Sequence, residues 1–190
     1  QVPGLFFENN FNWNSGNAQV ITGLSIDKHN EFGFLINPRG LIKYNFSENT
    51  IIRLSLGSGW RTFNLFSEHS HLLASNKNIK IEENLKPEKA INYGLNLLQA
   101  FYFDNLEMQI LLDFYKTEFS NQIHPDYHHN PLEIHVHNFE GTSKSNSFQI
   151  EVGLELFEEF GIKCGYNYLD IFQINSDNTK NRMPLTSKHH

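Results

Sequence analysis

The chain has 190 residues, 39% hydrophobic and 14% aromatic, with a formal net charge of -6 and no lysine or arginine run, which excludes nucleic acid as an expected partner. A single cysteine, Cys164, rules out an internal disulfide. No stretch approaches the roughly 18 apolar residues of a membrane helix, and mean hydropathy is -0.46, so any passage through a membrane would fall to strands.

The opening Gln1-Val2-Pro3-Gly4 has neither the basic nor the apolar region of a signal peptide and reads as the interior of a longer protein, or one already processed. Residues 4–13 and 18–27 flank Ser15-Gly16, and Val20, Thr22, Leu24 and Ile26 form the less polar side of the second run. A long connection is expected over 28–38. Residues 39–46 and 50–57 then flank Ser47-Glu48-Asn49, with Ile42, Tyr44 and Phe46 matching Ile52, Leu54 and Leu56. Lys43, Asn45, Arg53 and Ser55 fall on the other parity.

After a connection over 58–87 comes the clearest pattern. Ile91, Tyr93, Leu95, Leu97, Phe101 and Phe103 occupy one parity, against Asn92, Gly94, Asn96 and Ala100. Asp104-Asn105 turns the chain, and Leu106, Met108, Ile110, Leu112 and Phe114 resume against Glu107, Gln109, Asp113 and Thr117. Period two is the mark of a strand, and a two-residue link between two such runs is the mark of a hairpin. Beyond 120–145, a last hairpin spans about 146–172 and turns near Glu158-Glu159. Phe148, Ile150, Val152, Leu154 and Leu156 face one way, joined by Ile162, Cys164, Tyr166 and Tyr168. A connection over 173–184 leads to a ninth strand starting near Pro184.

Short turns alternating with long connections suit an all-β, antiparallel, up-and-down transmembrane β-barrel segment of eight or nine strands. Alternation alone does not say which face meets what. A soluble, lipocalin-like ligand-binding barrel would turn the apolar parity inward. Three features favour lipid on that side: runs of about ten residues or more; aromatics beside the short turns (Trp13, Tyr44, Phe46, Phe101, Phe103, Phe157, Phe160); and a polar parity rich in Gly, Asn, Gln and charges. Glu107, Asp113, Glu151, Glu155, Lys43, Arg53 and Lys163 would then line a lumen.

Several stretches resemble the TonB-dependent outer-membrane receptors. Gly57-Ser58-Gly59-Trp60-Arg61-Thr62-Phe63-Asn64-Leu65-Phe66-Ser67-Glu68 is similar to their GxGxRxxNLxE stretch, and Glu83-Asn84-Leu85-Lys86-Pro87-Glu88 to the motif that opens their next strand. Phe119-Ser120-Asn121-Gln122-Ile123, the return from Phe139-Glu140-Gly141 to Phe148, and the ending Met183-Pro184-Leu185 to His189 extend the resemblance over the whole chain. It marks Arg61, Glu68, Pro87 and Glu88 as structural motif residues, with Arg61 and Glu68 able to pair. It implies a cell outer-membrane receptor of a Gram-negative bacterium that takes up a scarce nutrient, such as a metal-siderophore, haem or cobalamin complex. The barrel would have about 22 strands and a plug, and the partner would be a TonB complex acting through that plug. Neither the plug nor the terminal strands is recognised here. Residues 1–190 are therefore read as one partial β-barrel domain, set in outer-membrane lipid.

Histidine marks the long connections. His69 and His71 lie in one, and His124, His128 and His129 in another; these are the candidate substrate-binding residues, for a small-molecule or metal-complex ligand. His135 and His137 would share a face and are the candidate metal ligands, with Asp126 and Glu133 able to assist. No cofactor signature is read. No catalytic residues are found, since no G-x-S-x-G, phosphate loop or carboxylate pair marks an active site; an outer-membrane enzyme barrel is the remaining alternative.

Overall fold

The computed structural model describes residues 2–13, 16–68, 70, 74, 76–81, 84–130, 132–157, 160–182 and 187–189, the side chains of 65, 66, 124 and 127–130 excepted. Nine strands form one antiparallel sheet in the order β1 (Gly4–Trp13), β2 (Ala18–His29), β3 (Gly33–Ser47), β4 (Thr50–Arg61), β6 (Glu88–Phe103), β7 (Leu106–Ser120), β10 (Thr142–Leu156), β11 (Phe160–Ile174) and β12 (Lys180–Arg182). The order is up-and-down, as the alternation predicts. Among the described residues β1 and β12 do not pair, so the sheet is an open arc of a barrel. A second sheet, β5 (Asn78–Ile81), β9 (Glu133–Asn138) and β8 (Ile123–Asn130), and the single-turn helix α1 (Leu65–Glu68) are built from the two long connections.

The register explains why the strands hold together. Residues directly opposite on an antiparallel ladder share a face. Crossing from β1 to β11, one row reads Phe11, Val20, Ile42, Leu54, Leu95, Phe114, Phe148, Tyr168. The next reads Asn12, Gln19, Lys43, Arg53, Asn96, Asp113, Gln149, Asn167. Every strand therefore presents the same chemistry at the same height, and a slip of one residue would turn one strand's whole set to the wrong side. The polar row is linked laterally: Arg53 donates to Asn96 Oδ1 at 2.7 Å, and Asn96 donates to Asp113 Oδ1 at 2.6 Å. Nearer the other rim Arg39 pairs with Glu8 on the same parity.

The apolar parity has no cover. Leu54 is 48% exposed, Leu56 52% and Phe46 72%, whereas the one cluster of buried apolar residues among those described lies in the small sheet. A chain of this size in water would bury such a face, since each large aliphatic side chain left exposed forgoes roughly 1.5–3 kcal/mol. The soluble alternative required that face to point inward onto a core, and it does not. Trp13, Phe46, Phe103, Phe157 and Phe160 are all exposed beside the short turns, forming the girdle expected at a membrane interface. The ten residues from Phe103 up to Tyr93 on β6 rise about 33 Å. At a tilt of about 40° this is about 25 Å along the membrane normal, the height of a lipid-facing band.

Three connections differ from expectation. Residues 28–38 are not a long loop: β2 and β3 continue past it, through Asp27↔Leu35 to His29↔Gly33, and join through 30–32. Gly33, at φ 71°, makes the tight closure possible. Pro38 lies within β3, but the β3–β4 ladder ends at Arg39↔Gly57, so its missing N–H removes no bond there. Its carbonyl accepts from the Ser58 hydroxyl at 3.4 Å instead. The connection over 120–145 is largely ordered as β8 and β9. The connection over 173–184 shortens to a turn closed by Asn175 and Thr179, and the ninth strand is Lys180–Arg182 rather than one starting at Pro184, which lies outside the described residues. Only two of the rim connections are thus long. Of the short turns, Ser47–Asn49 and Asp104-Asn105 are where alternation placed them, while Ser15 and Glu158-Glu159 lie outside the described residues.

Gly141, just before β10, shows how tightly this rim is packed. A Cβ there would stand 2.2 Å from the Ile174 carbonyl oxygen, a backbone atom with little freedom to move. Gly141→Ala should cost about 1–3 kcal/mol, measured by denaturant unfolding of the intact protein in detergent. Gly161→Ala, whose new methyl meets nothing closer than 4.0 Å, should be near neutral. Equal effects of the two would contradict this packing.

Candidate functional site

The long-loop rim is organised around Glu88, the first residue of β6 and 6% exposed. Pro87 precedes it, where a missing donor is tolerated at a strand's start. One Glu88 oxygen accepts from the Arg61 guanidinium at the end of β4. The other accepts the backbone N–H of Ile123, the first residue of β8, at 2.7 Å. Arg61 reaches onward to Glu68 of α1, 3.1 Å away. One buried carboxylate thus ties the barrel wall to both long connections. The motif pair Arg61 and Glu68 meets as the sequence suggested, and Glu88 completes the trio.

Asn138, at the end of β9, makes the matching clamp. Its side chain accepts from Lys86 N–H at 2.7 Å and donates to the Lys86 and Asn121 carbonyls at 3.0 and 2.7 Å. With these anchors the small sheet sits over the end of the barrel wall. Its lower face packs Ile123, Ile134 and Val136, all 5% exposed or less, against Phe63, Ile79 and Leu85.

Its other face is polar. The ladder sets Lys80 opposite His135, His135 opposite Asp126, and His137 opposite His124. Glu133 receives Lys80 at 2.8 Å and His135 Nε2 at 3.2 Å. Asp126, His135 and His137 open, with Phe139, Glu140, Asn175 and Ser176, onto a cavity of about 420 Å³. A second cavity of about 450 Å³ lies between the β2–β3 turn and the 62–87 connection, next to Pro87 and Ile123.

The candidate residues fall out as follows. His135 and His137 share a face, as their spacing predicted, and line the same cavity. His124 joins them by register, through its backbone alone. His128 and His129 are on β8 within the irregularity between Asp126 and Asn130, off the regular ladder. His69 and His71 lie outside the described residues. Among the described residues no group of three or more His, Cys, Asp or Glu is close enough to hold one ion. The arrangement therefore lines the cavity with imidazole and carboxylate groups, His135 being held by Glu133.

Two residues escaped the sequence reading. Asn138 has no pattern to mark it. His29 stacks on Phe32, ring centroids 4.6 Å apart, with Trp60 edge-on at 5.9 Å, and its Nδ1 accepts the N–H of Glu31 at 3.2 Å. It lines the larger cavity, and lay in a stretch read as loop.

The Lys80 ammonium, and after it His135, holds the Glu133 carboxyl below the usual carboxylate range. A lowered carboxyl favours the folded rim above its ordinary titration range and loses that contribution as pH falls through the depressed value. Lys80→Met should return the Glu133 titration toward the ordinary range, followed by NMR of the carboxyl carbon; an unmoved titration would contradict the contact. Glu88→Ala, which leaves the Ile123 N–H buried without its acceptor, should cost about 2 kcal/mol of stability. Glu88→Gln, keeping an acceptor oxygen, should cost about half as much. Unfolding and protease cleavage within 62–87 measure both, and indifference to either substitution would refute the anchoring role.

Residues 1–190 match the family described as TonB dependent receptor-like, beta-barrel. No curated protein matches. Among solved structures, the chain is similar to the FrpB iron transporter from Neisseria meningitidis (F3-3 variant), at 14% identity and a TM-score of 0.66 over 92% of this chain and 26% of that one. It is similar to the siderophore receptor PirA from Pseudomonas aeruginosa, at 15% identity and 0.57 over 90% and 39%, and to the copper transporter OprC, at 15% identity and 0.65 over 95% and 30%. The chain thus spans about a quarter to two-fifths of the length of these structures. With an open arc of alternating strands, a lipid-type outer face and the Arg61–Glu68–Glu88 junction in place, the chain belongs to the TonB-dependent receptors, as part of their β-barrel.

Proposed function

We propose that the protein containing this chain is an outer-membrane receptor that takes up a metal-complex ligand, driven by a TonB complex acting through a plug domain. In this reading residues 1–190 are one partial barrel domain: they supply a section of wall and part of the outer mouth. The observation that carries the ligand class is the cavity of about 420 Å³ on the rim sheet, lined by His135, His137 and Asp126. Imidazole and carboxylate together suit a borderline or hard metal presented by a carrier. The open geometry suits brief capture and release better than a resident structural ion. His124, His128, His129, His69 and His71 are further candidate contacts on the same two connections. The titles of the three similar structures name an iron transporter, a siderophore receptor and a copper transporter, which supports the same class.

Titration of the intact protein in detergent with Cu(II), Ni(II) and a ferric siderophore tests the reading. His135→Ala with His137→Ala should weaken binding of the recognised ligand about tenfold or more, without changing unfolding. Full-strength binding by the double variant, or no binding of any of the three by the unaltered protein, would remove the basis for this ligand class.

A further inference from the structure

The β2–β3 turn is held by one side chain, that of the last residue of β2. His29 stands opposite Gly33 on the ladder. Its Nδ1 accepts two backbone N–H groups of the turn, Glu31 at 3.2 Å and Phe32 at 3.4 Å. The same ring lies flat on Phe32 and takes the Trp60 ring edge-on, at centroid distances of 4.6 and 5.9 Å. Trp60 is itself fixed to the wall. Its Nε1 donates to Asp27 Oδ2 at 2.9 Å, and the Asn37 amide donates to the same oxygen at 3.3 Å. One imidazole therefore ties the turn to β4 and, through Trp60, to the inner face of β2 and β3.

That tie exists in only one protonation state. A ring nitrogen that accepts N–H groups carries no proton, whereas an imidazolium is a donor at both nitrogens. Protonated, Nδ1–H would point at two further donors, and the Glu31 and Phe32 N–H groups would lose their acceptor. The charged groups around the ring come from three elements. Glu31 belongs to the turn, and Lys86, from the 62–87 connection, lines the same cavity. On β2, Asp27 stands behind Trp60, and Lys28 lies over the Phe34 ring, 5.8 Å from its centroid. Of these, Glu31 is the carboxylate within the turn itself, two residues from the ring and a ready partner for an imidazolium.

We propose that the β2–β3 turn is a pH-sensitive latch on the rim cavity of about 450 Å³: neutral His29 closes it against Trp60, and protonated His29 releases it toward Glu31. His29 to Phe32 form one side of that cavity, and Thr62, Phe63 and Leu85 belong to the other. Release therefore changes a wall of the cavity while the sheet below keeps its ladders. The sign follows from the acceptor role. Imidazole changes charge between about pH 8 and about pH 5, so the latch holds at the upper end and is lost toward the lower. Gly33, at φ 71°, sits at the end of the turn, where the chain can take up the change.

The test uses the intact protein in detergent, with Cys164→Ser and spin labels on Asn30→Cys in the turn and Lys89→Cys at the start of β6. Distances are read by double electron–electron resonance at about pH 8 and about pH 5. One narrow distance is expected at the higher pH, with its loss to a broader, longer distribution at the lower. His29→Asn puts an amide oxygen near the Nδ1 position and does not titrate, so it should keep the narrow distance at both. His29→Phe keeps a ring to stack but has no acceptor, and should show the broad distribution at both. Glu31→Gln should leave the pH response in place, which separates the ring from its neighbouring carboxyl. A second pair, Glu48→Cys with Asp104→Cys on the short turns, should not move. An identical turn distance at the two pH values, a response that survives in His29→Asn, or an equal shift in the short-turn pair would overturn the latch.

Discussion

Lateral register is the constraint on which everything else in this chain depends. In water a sheet acquires its register from a core packed on one side. Among the described residues the large sheet has no such core, and its apolar face is of the kind that lipid would satisfy. What specifies the pairing is agreement between neighbours: Leu54 meets Leu95 and Arg53 meets Asn96, so a slip on any one strand would push a guanidinium outward and an aliphatic chain inward. The hydrogen-bonded run Arg53–Asn96–Asp113 adds a directional preference within the lumen face. The rim can then be elaborate, because the wall beneath it is monotonous.

The Glu88 junction converts that wall into a platform. A carboxylate taken out of water needs both of its oxygens answered, and here the answers come from separate parts of the chain: a strand end through Arg61 and a rim strand through the Ile123 N–H. Burying the charge therefore also fixes where β8 begins. The small sheet, anchored again by Asn138, turns its apolar side down onto Phe63 and Leu85 and leaves His135 and His137 facing the cavity. Motif residues far from any ligand thus decide where the candidate ligand residues stand.

Much of this was legible in the residues, for identifiable reasons. Period two is a local signal, so the strands from Ile91 to Phe103 and from Leu106 to Phe114 stand out without any partner. Pairing across distance is not local. β5 pairs with β9 through Asn78↔Glu133, and although the alternation that sets His135 and His137 on one face is local, the partner of that stretch is not. The connection expected over 28–38 proved to be strand because Pro38 sits where the neighbouring ladder has already stopped, so its missing N–H is not needed. Arg61, Glu68 and Glu88 came through resemblance to a family. The meeting of both carboxylates at the Arg61 guanidinium, and the Ile123 N–H on Glu88, required coordinates. Residues 69 and 71–73 lie outside the described part, so the structure has nothing to say on His69 and His71.

The central claim is that the apolar parity faces lipid and the polar parity faces the lumen. Single cysteines placed in turn at positions 92 to 97 of β6, after Cys164→Ser, would carry spin labels in the intact protein reconstituted in a bilayer. Collision rates with oxygen, which concentrates in lipid, and with a water-soluble nickel chelate would then be measured by electron paramagnetic resonance. The account predicts a period of two, with positions 93, 95 and 97 favouring oxygen and 92, 94 and 96 favouring the chelate. The opposite phase, or no alternation, would contradict it.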